Sequence, residues 1–237
     1  MRASLPQRFS AEFLGTAFLV AAVVGSGIMG NRLSNGNVAF TLLVNTIATG
    51  AALVALIFTF GPISGAHFNP VVTTADALEG GIPWRETPAY IGTQIFGGII
   101  GAIAAHIMFG LPLVSLSHHN HGGAAQVFSE FVATFGLLCV IWGCSRLRSD
   151  AIPFAVGAYI TSAYWFTSST SFANPAVTIA RCLSDTFAGI RPADVPWFML
   201  AQFAGGIAAT LLFRRLVPNL QVRAKEVLLR QDFERGS

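Results

Sequence analysis

The sequence predicts an all-α membrane protein with six transmembrane helices and two re-entrant half-helices, arranged as an inverted three-plus-three repeat. Of the 237 residues, 53% are hydrophobic and 11% are charged, whereas a typical soluble domain is about 25% charged. Six apolar segments approach the roughly 20 residues that are needed to cross a bilayer. In addition, an Asn-Pro motif occurs in each half of the chain.

The predicted spans have the approximate limits 9–29, 38–60, 88–110, 124–144, 151–168 and 195–216. They form one membrane domain, 1–237, with repeat one at about 9–110, repeat two at about 124–216 and a charged tail at 217–237. The first span is not predicted to be a cleaved signal peptide, because it carries Glu12, which recurs as Glu130.

The two motifs are Asn69-Pro70-Val71-Val72-Thr73 and Asn174-Pro175-Ala176-Val177-Thr178. Asn is a strong helix N-cap, and Pro suits the first helical position, where its missing N–H is not needed. We therefore predict half-helices near 69–79 and 174–183, each about half a bilayer long. Such segments enter and leave from one side, and they are tolerated only where protein or a water-filled cavity surrounds them.

The distribution of positive charge predicts the topology. If both termini are cytoplasmic, 11 of the 14 Lys and Arg residues lie on the inner side, and Arg32, Arg181 and Arg191 lie on the outer side. The predicted location is the inner (plasma) membrane, and the net charge of +3 requires no nucleic-acid partner.

The two halves share further residues at matched spacing. Glu12-Phe13-x-x-Thr16 in the first span matches Glu130-Phe131-x-x-Thr134 in the fourth. In the third and sixth spans, Pro88, Gln94, Gly97 and Gly98 match Pro196, Gln202, Gly205 and Gly206. Because each half contains three spans, the second half must be inverted relative to the first.

The inverted half-helices should meet at their N-termini, each of which carries roughly +0.5 charge. This arrangement disfavours cations and protons at the junction, while side-chain N–H groups of the two Asn residues remain available to water or a hydroxyl group. The pattern predicts a pore for neutral solutes. Its constriction should contain Asn69, Pro70, Val71, Asn174, Pro175 and Ala176.

Over about 9–216, the chain resembles the aquaporin, or major intrinsic protein, family, and within it the aquaglyceroporins. The resemblance rests on the two Asn-Pro motifs, the loop Ser64-Gly65-Ala66-His67-Phe68-Asn69-Pro70, Glu12 and Glu130, and the paired Gln-x-x-Gly-Gly segments. It implies six tilted spans in a lipid bilayer, a homotetramer with one pore per subunit, and passage of water, glycerol and other small neutral solutes. It implies no enzyme activity, cofactor or metal.

Two residues depart from the family pattern. Val71 stands where Ala is usual, and Val177 stands where most members carry the Arg of the outer constriction. Val offers neither a charge nor a hydrogen-bond donor. Counting from the motifs gives a selectivity filter of Thr49, Ser162, Ser171, Phe172 and Val177, with Tyr164 as the alternative to Ser162.

The filter is therefore predicted to be wider and less cationic than that of a water channel. It resembles the filter of the bacterial branch that is linked with arsenic resistance. The resemblance adds small polyols and neutral arsenic or other metalloid acids to the expected solutes.

Arg181 and His67 are predicted to line the pore mouths. Arg181 either supplies part of the missing filter charge or binds loop carbonyls at the end of its half-helix. Glu12 and Glu130 either relay protons or, as repeat symmetry favours, accept hydrogen bonds from the re-entrant loops.

Other polar residues have plainer interpretations. Asp76 and Glu79 are expected to be solvated, and the cluster of His118, His119 and His121 is expected to be a solvated loop rather than a metal site. Three cysteines without metal-ligand spacing are expected to be apolar fillers.

Three other functions compete with a passive channel. A coupled secondary transporter would need a titratable or ion-binding site at the midplane, and the sequence predicts only amides, hydroxyls and aliphatic groups there. Cation leak through a filter that lacks Arg is opposed by the half-helix termini. An enzyme would need a nucleophile paired with a base, or a ligand set for a catalytic metal.

Overall fold

The computed structural model describes residues 3–216, except for the side chains of Arg146 and Leu147; the predicted tail at 217–237 lies outside the described residues. This part of the chain is helical and contains no strand. The helices are α1 (Leu5–Leu33), α2 (Val38–Ser64), α3 (Pro70–Leu78), α4 (Thr87–Phe109), α5 (Ala124–Leu147), α6 (Ile152–Phe166), α7 (Pro175–Arg181) and α8 (Val195–Leu216). Short 3₁₀ turns at Ser149–Ala151 and Pro192–Asp194 precede α6 and α8.

Six of these helices correspond to the predicted spans. By length and composition, α1, α2, α4, α5 and α8 are suited to cross a membrane. The sixth, α6, has 15 residues and stands in repeat two where α2 stands in repeat one. The predicted all-helical fold, with a helix at each of the six spans and two half-helices, is confirmed, and α6 is shorter than the other five.

The half-helices α3 and α7 begin as the motif chemistry predicts. The side-chain oxygen of Asn69 accepts a hydrogen bond from the Val71 amide at 2.9 Å, and that of Asn174 accepts one from the Ala176 amide at 3.0 Å. In both cases Pro occupies the first turn. The N-cap and the proline together fix where each re-entrant loop turns into a helix.

The helices pack as two equivalent groups around the half-helices. In the first half α1 packs against α2 and α4, in the second half α5 packs against α6 and α8, and α2 meets α6 between the halves. Gly97 and Gly205 make the same close approach, because a Cβ on either would lie 2.4 Å from the carbonyl oxygen of Phe13 or Phe131, respectively. Small residues thus allow two pairs of helix backbones to come together.

A buried carboxylate holds each re-entrant loop. Glu12 accepts hydrogen bonds from the backbone amides of His67 and Phe68 at 3.0 and 2.7 Å. Glu130 accepts them from the amides of Phe172 and Ala173 at 2.9 and 2.8 Å. These are the contacts that repeat symmetry favoured over a proton relay.

The loops that the two carboxylates bind have an unusual backbone. Ala66 and Phe68 before α3, and Ser171 and Ala173 before α7, have φ between 48° and 50°. Non-glycine residues in this left-handed region cost roughly 1–2 kcal/mol each. The hydrogen bonds to the two carboxylates stabilise this conformation at the same places in both halves.

Candidate pore

A cavity of about 400 Å³ runs past the point where the two half-helices meet. At this junction the Asn69 amide donates to the carbonyl oxygen of Ala173, and the Asn174 amide donates to that of Phe68, both at 2.7 Å. Each bond uses one of the two N–H groups of a side-chain amide. Both Asn residues also line the cavity, so the second N–H is the one available to a solute.

The cavity has two mouths, which we name after the nearer half-helix. The α7 mouth contains Thr49, Tyr164, Ser171, Phe172, Val177 and Arg181. The α3 mouth contains Pro62, His67, Asp76, Ser149, Asp150 and Pro153. Between them, the wall is mostly aliphatic and includes Leu19, Val23, Leu53, Val72, Leu137 and Ile160.

The constriction predicted from the motifs needs a correction. Only its two Asn residues line the cavity, whereas Pro70, Val71, Pro175 and Ala176 are buried in the surrounding protein. Val71 packs towards α8, where a Cβ on Gly206 would lie 2.2 Å from its Cγ1 atom. The reason is helical geometry, since successive residues of a first turn point in different directions. Val71, which stands where the family usually has Ala, therefore affects the packing of α3 against α8 and not the width of the cavity.

The predicted filter is also corrected at one position. Ser162 is exposed, and its hydroxyl donates to the Tyr159 carbonyl oxygen at 2.7 Å, so it does not line the cavity. Tyr164 lines it instead, and its hydroxyl lies 3.2 Å from that of Thr49. Tyr164 is the alternative that the sequence left open, because counting back from Asn174 does not fix the register of α6 relative to the loop that follows it.

The other predicted filter residues lie together at the α7 mouth. Val177 is 5% exposed and lines the cavity with an aliphatic side chain, at the position where most family members carry Arg, a hydrogen-bond donor. The Ser171 hydroxyl is buried and has no hydrogen-bond partner within the described structure. Phe172 lines the cavity beside it.

Arg181 binds a loop carbonyl, as one of its two interpretations predicts, and it also lines the cavity. Its Nε donates to the loop carbonyl of Ala188, and the residue also lines the cavity while being only 3% exposed. Its guanidinium carbon lies 3.4 Å from the ring centroid of Phe172. A loop carbonyl and an aromatic face thus hold a cation beside the pore.

The acidic residues at the end of α3 are buried and paired with basic side chains. Asp76 and Glu79, which were expected to be solvated, are 3% and 1% exposed. Asp76 lies 3.6 Å from Nε2 of His67, and Glu79 forms an ion pair of 2.6 Å with Arg214 of α8. The prediction was wrong because α3 does not end in solvent; α4 and α8 pack around it.

The loop histidines belong to two different environments. His118 is exposed and pairs with Asp185 at 3.2 Å, and its backbone amide lowers the pKa of that carboxyl group. His121 instead packs edge-on against Phe172 and Phe198, and burial lowers its pKa to about 4. Within residues 3–216, no group of three or more His, Cys, Asp or Glu residues is placed to hold a metal ion.

Two inverted triplets of helices, with half-helices meeting in a lined cavity, define a membrane channel of the aquaporin type. A family model described as "Major intrinsic protein" matches residues 1–151 and 144–234. The chain belongs to this family.

Comparison with known proteins gives nearer relatives. The chain is 51% identical over 213 residues to "Aquaglyceroporin AqpS" from Rhizobium meliloti (strain 1021), a match that covers 90% of this chain and 91% of the relative. It is 32% identical to "Aquaporin NIP1-1" from Oryza sativa subsp. japonica, covering 85% and 71%. The X-ray structure of the aquaglyceroporin from Plasmodium falciparum superposes with a TM-score of 0.74 at 18% identity, covering 92% of this chain and all of that one. The last similarity concerns the fold alone.

Sequence reasoning missed the importance of Asp76, although a signal was present. Asp76 and Arg181 stand at the same distance from Asn69 and Asn174. The assignment of Arg181 to a mouth could therefore have been extended to Asp76 by the repeat. The aliphatic middle wall had no comparable signal, because apolar residues occur on every face of these helices.

Proposed function

We propose that this protein is a passive channel for water and small neutral solutes of the glycerol type. The observation that carries the proposal is the cavity that passes the junction of the two half-helices. The amides of Asn69 and Asn174 offer hydrogen bonds there, and the remaining wall is mostly aliphatic. An ion would have to lose its hydration shell to pass such a wall, at a high desolvation cost, whereas a neutral molecule would not; the wall therefore favours neutral solutes.

The selectivity filter of this channel is the α7 mouth, formed by Thr49, Tyr164, Ser171, Phe172 and Val177. Val177 leaves space and removes a donor where the family pattern has Arg. The paired hydroxyls of Thr49 and Tyr164 provide polar contacts on the opposite side. The filter should accordingly pass solutes larger than water, including polyols and neutral arsenic or other metalloid acids.

The orientation and assembly follow from charge and resemblance. The α7 mouth faces the outside and both termini face the cytoplasm, in the inner membrane, because this places most Lys and Arg residues inside. The homotetramer rests on the family resemblance. Large apolar side chains such as Phe18, Phe58, Phe96 and Phe154 are exposed on the helices and suit contact with lipid or neighbouring subunits.

The test is solute flux into proteoliposomes that contain the purified full-length chain. Light scattering after an osmotic step should report water flux and glycerol flux well above those of empty vesicles, without any ion gradient. Glycerol flux that requires an ion gradient would contradict the passive channel, and flux equal to that of empty vesicles would refute conduction altogether.

A pair of variants tests the filter. Val177→Arg should reduce glycerol flux by at least about tenfold relative to water flux, because it restores both bulk and charge at the α7 mouth. Val177→Leu, which adds bulk alone, is the matched control and should have a smaller effect. A ratio of glycerol to water flux that neither variant changes would show that Val177 is not part of the filter.

A further inference from the structure

Asp76 and Arg181 occupy equivalent positions in the two half-helices. Each is the seventh residue after the N-cap, Asp76 after Asn69 and Arg181 after Asn174. Each lines the cavity and is 3% exposed. The inverted repeat therefore places a carboxylate at the α3 mouth and a guanidinium group at the α7 mouth.

The ring that contacts each charge is also equivalent in the repeat. It belongs to the residue two positions before the Asn, which is His67 in the first half and Phe172 in the second. His67 meets Asp76 through its Nε2 atom, whereas Phe172 offers its aromatic face to Arg181. An aromatic face holds a guanidinium group without neutralising its charge.

The positive charge of Arg181 has no direct ion-pair partner, although the buried Glu130 is near enough to attract it. Within residues 3–216, no carboxylate lies in ion-pair distance of its guanidinium group. The Nη1 atom of Arg181 is buried and has no hydrogen-bond partner among residues 3–216. The Ser171 hydroxyl is also buried and also has no partner among these residues. Leaving buried polar groups unpaired costs about 1–3 kcal/mol each, and more for charged groups. An acceptor atom in the cavity would remove this cost.

We propose that Arg181 forms a solute subsite at the α7 mouth, one helical turn beyond Val177, in which its guanidinium group and the Ser171 hydroxyl bind an oxygen atom of the permeating molecule. The ligands are small molecules with hydroxyl or oxygen-acid groups. The same charge is the barrier to cations at this mouth. The proposal rests on the channel function proposed above.

The subsite arises because Arg181 reaches the cavity from a position that the filter pattern does not include. Its Nε is fixed on the Ala188 carbonyl oxygen, so the guanidinium group is held in one place before a solute arrives. Preorganised donors of this kind bind an acceptor at a lower entropic cost than mobile ones. The filter at Val177 can then be wide while the channel still excludes protons and cations.

The test compares Arg181→Met with Arg32→Met in proteoliposomes. Arg32 is the matched control: it is on the same side of the protein, donates to the Phe109 carbonyl oxygen at 2.8 Å and stacks on the Phe109 ring, but it does not line the cavity. A pH dye reports proton leak under an imposed membrane potential, and light scattering reports the concentration at which glycerol flux is half saturated.

Arg181→Met should raise proton leak, and the glycerol concentration for half saturation, by at least about tenfold, which corresponds to about 1.4 kcal/mol. Arg32→Met should leave both unchanged. If Arg181→Met keeps its water flux and has the same proton leak and the same glycerol concentration for half saturation as the wild type, the subsite would be overturned but the channel would not. Absence of water and glycerol flux in the wild type would instead refute the channel itself.

Arg181→Lys keeps the inference testable if the methionine variant does not fold. Lys retains the charge but lacks the planar group that stacks on Phe172 and donates from several nitrogens. Proton leak should stay near the wild-type value while half saturation moves to a higher glycerol concentration. Unchanged half saturation, or a leak as large as that of an open pore, would contradict the subsite.

Discussion

At the α3 mouth Asp76 lies against the ring of His67, and at the α7 mouth Arg181 lies against the ring of Phe172. The positions are related by the repeat, yet the charges are opposite. One mouth can accept hydrogen bonds through its carboxylate, and the other donates them. A solute that carries hydroxyl groups can satisfy both.

Behind the mouths the two halves remain alike. Gln94 donates to Glu12 at 2.7 Å and to the Thr73 hydroxyl at 2.8 Å. Gln202 makes the same pair of bonds to Glu130 and the Thr178 hydroxyl, at 2.6 and 2.9 Å. The repeat thus preserves the framework of the re-entrant loops, while the residues that face the two mouths differ.

The largest expected effect concerns the shared framework. Glu12→Ala and Glu130→Ala each remove a buried carboxylate that accepts bonds from loop amides and a Gln side chain. Bonds to charged groups contribute about 1.5–3 kcal/mol each, so both variants should lose several kcal/mol and yield little folded channel. Size-exclusion chromatography in detergent after heating measures this. A severe loss in one half only would break the equivalence of the two loops.

A smaller loss is expected at the close helix contacts. Gly97→Ala and Gly205→Ala would drive a Cβ into the backbone of α1 or α5, costing about 1–3 kcal/mol. Gly92→Ala is the control. Gly92 lies in α4, as Gly97 does, but no atom lies within 4 Å of the position that its Cβ would take. The midpoint of thermal unfolding should fall for the first two variants and not for the third. Equal midpoints for all three would argue against backbone contact at these glycines.

A third expected effect is a loss of stability at acidic pH that depends on His121, which lies on the α7 side of the protein. The folded-state pKa of His121 is about 4, below the usual 6.5, mainly because of burial and then because of the nearby Arg181 charge. The unfolded chain therefore binds more protons between pH 6.5 and 4, so stability should fall as pH is lowered through this range. We expect a loss of about 1 kcal/mol, since the ring is partly accessible.

Thermal unfolding at several pH values measures the His121 contribution. His121→Gln should flatten the dependence between pH 6.5 and 4, whereas His118→Gln, at an exposed position of the same loop, should not. If both variants retain the wild-type slope, another group is responsible for the acid sensitivity.

The smallest effect sharpens the contrast in charge. Asp76→Asn removes the carboxylate that corresponds to Arg181, and loss of a negative charge cannot lower a barrier to cations. Proton leak in proteoliposomes should thus change by less than about twofold. A leak comparable with that expected for Arg181→Met would mean that the two mouths do not act through the sign of their charges.

Much of this architecture was predictable because it depends on local rules. Asn69 and Asn174 cap half-helices wherever such motifs occur, and span lengths follow from bilayer thickness. The repeated residues Glu12 and Glu130 likewise predicted hydrogen bonds to the re-entrant loops, which the structure contains. These features required only periodicity, capping chemistry and symmetry.

The wall of the pore was less predictable. Ser162 and Tyr164 are two residues apart, and only the packing of α6 decides which one faces the cavity. Val71 looked like a constriction residue, but the direction of its side chain in the first turn of α3 carries it towards α8. A small error in helical register or angle is enough to exchange a lining residue for a packing residue.

The sequence by itself determined the membrane class, the inverted repeat, the two capped half-helices and the absence of Arg at position 177. Only the tertiary structure decided that Asp76 is buried, that Tyr164 lines the α7 mouth, and that Arg181 reaches the cavity while it contacts Phe172 and the Ala188 carbonyl oxygen. The physical reason is that burial and side-chain direction depend on which helices pack around a residue, and residues distant in the chain supply those neighbours.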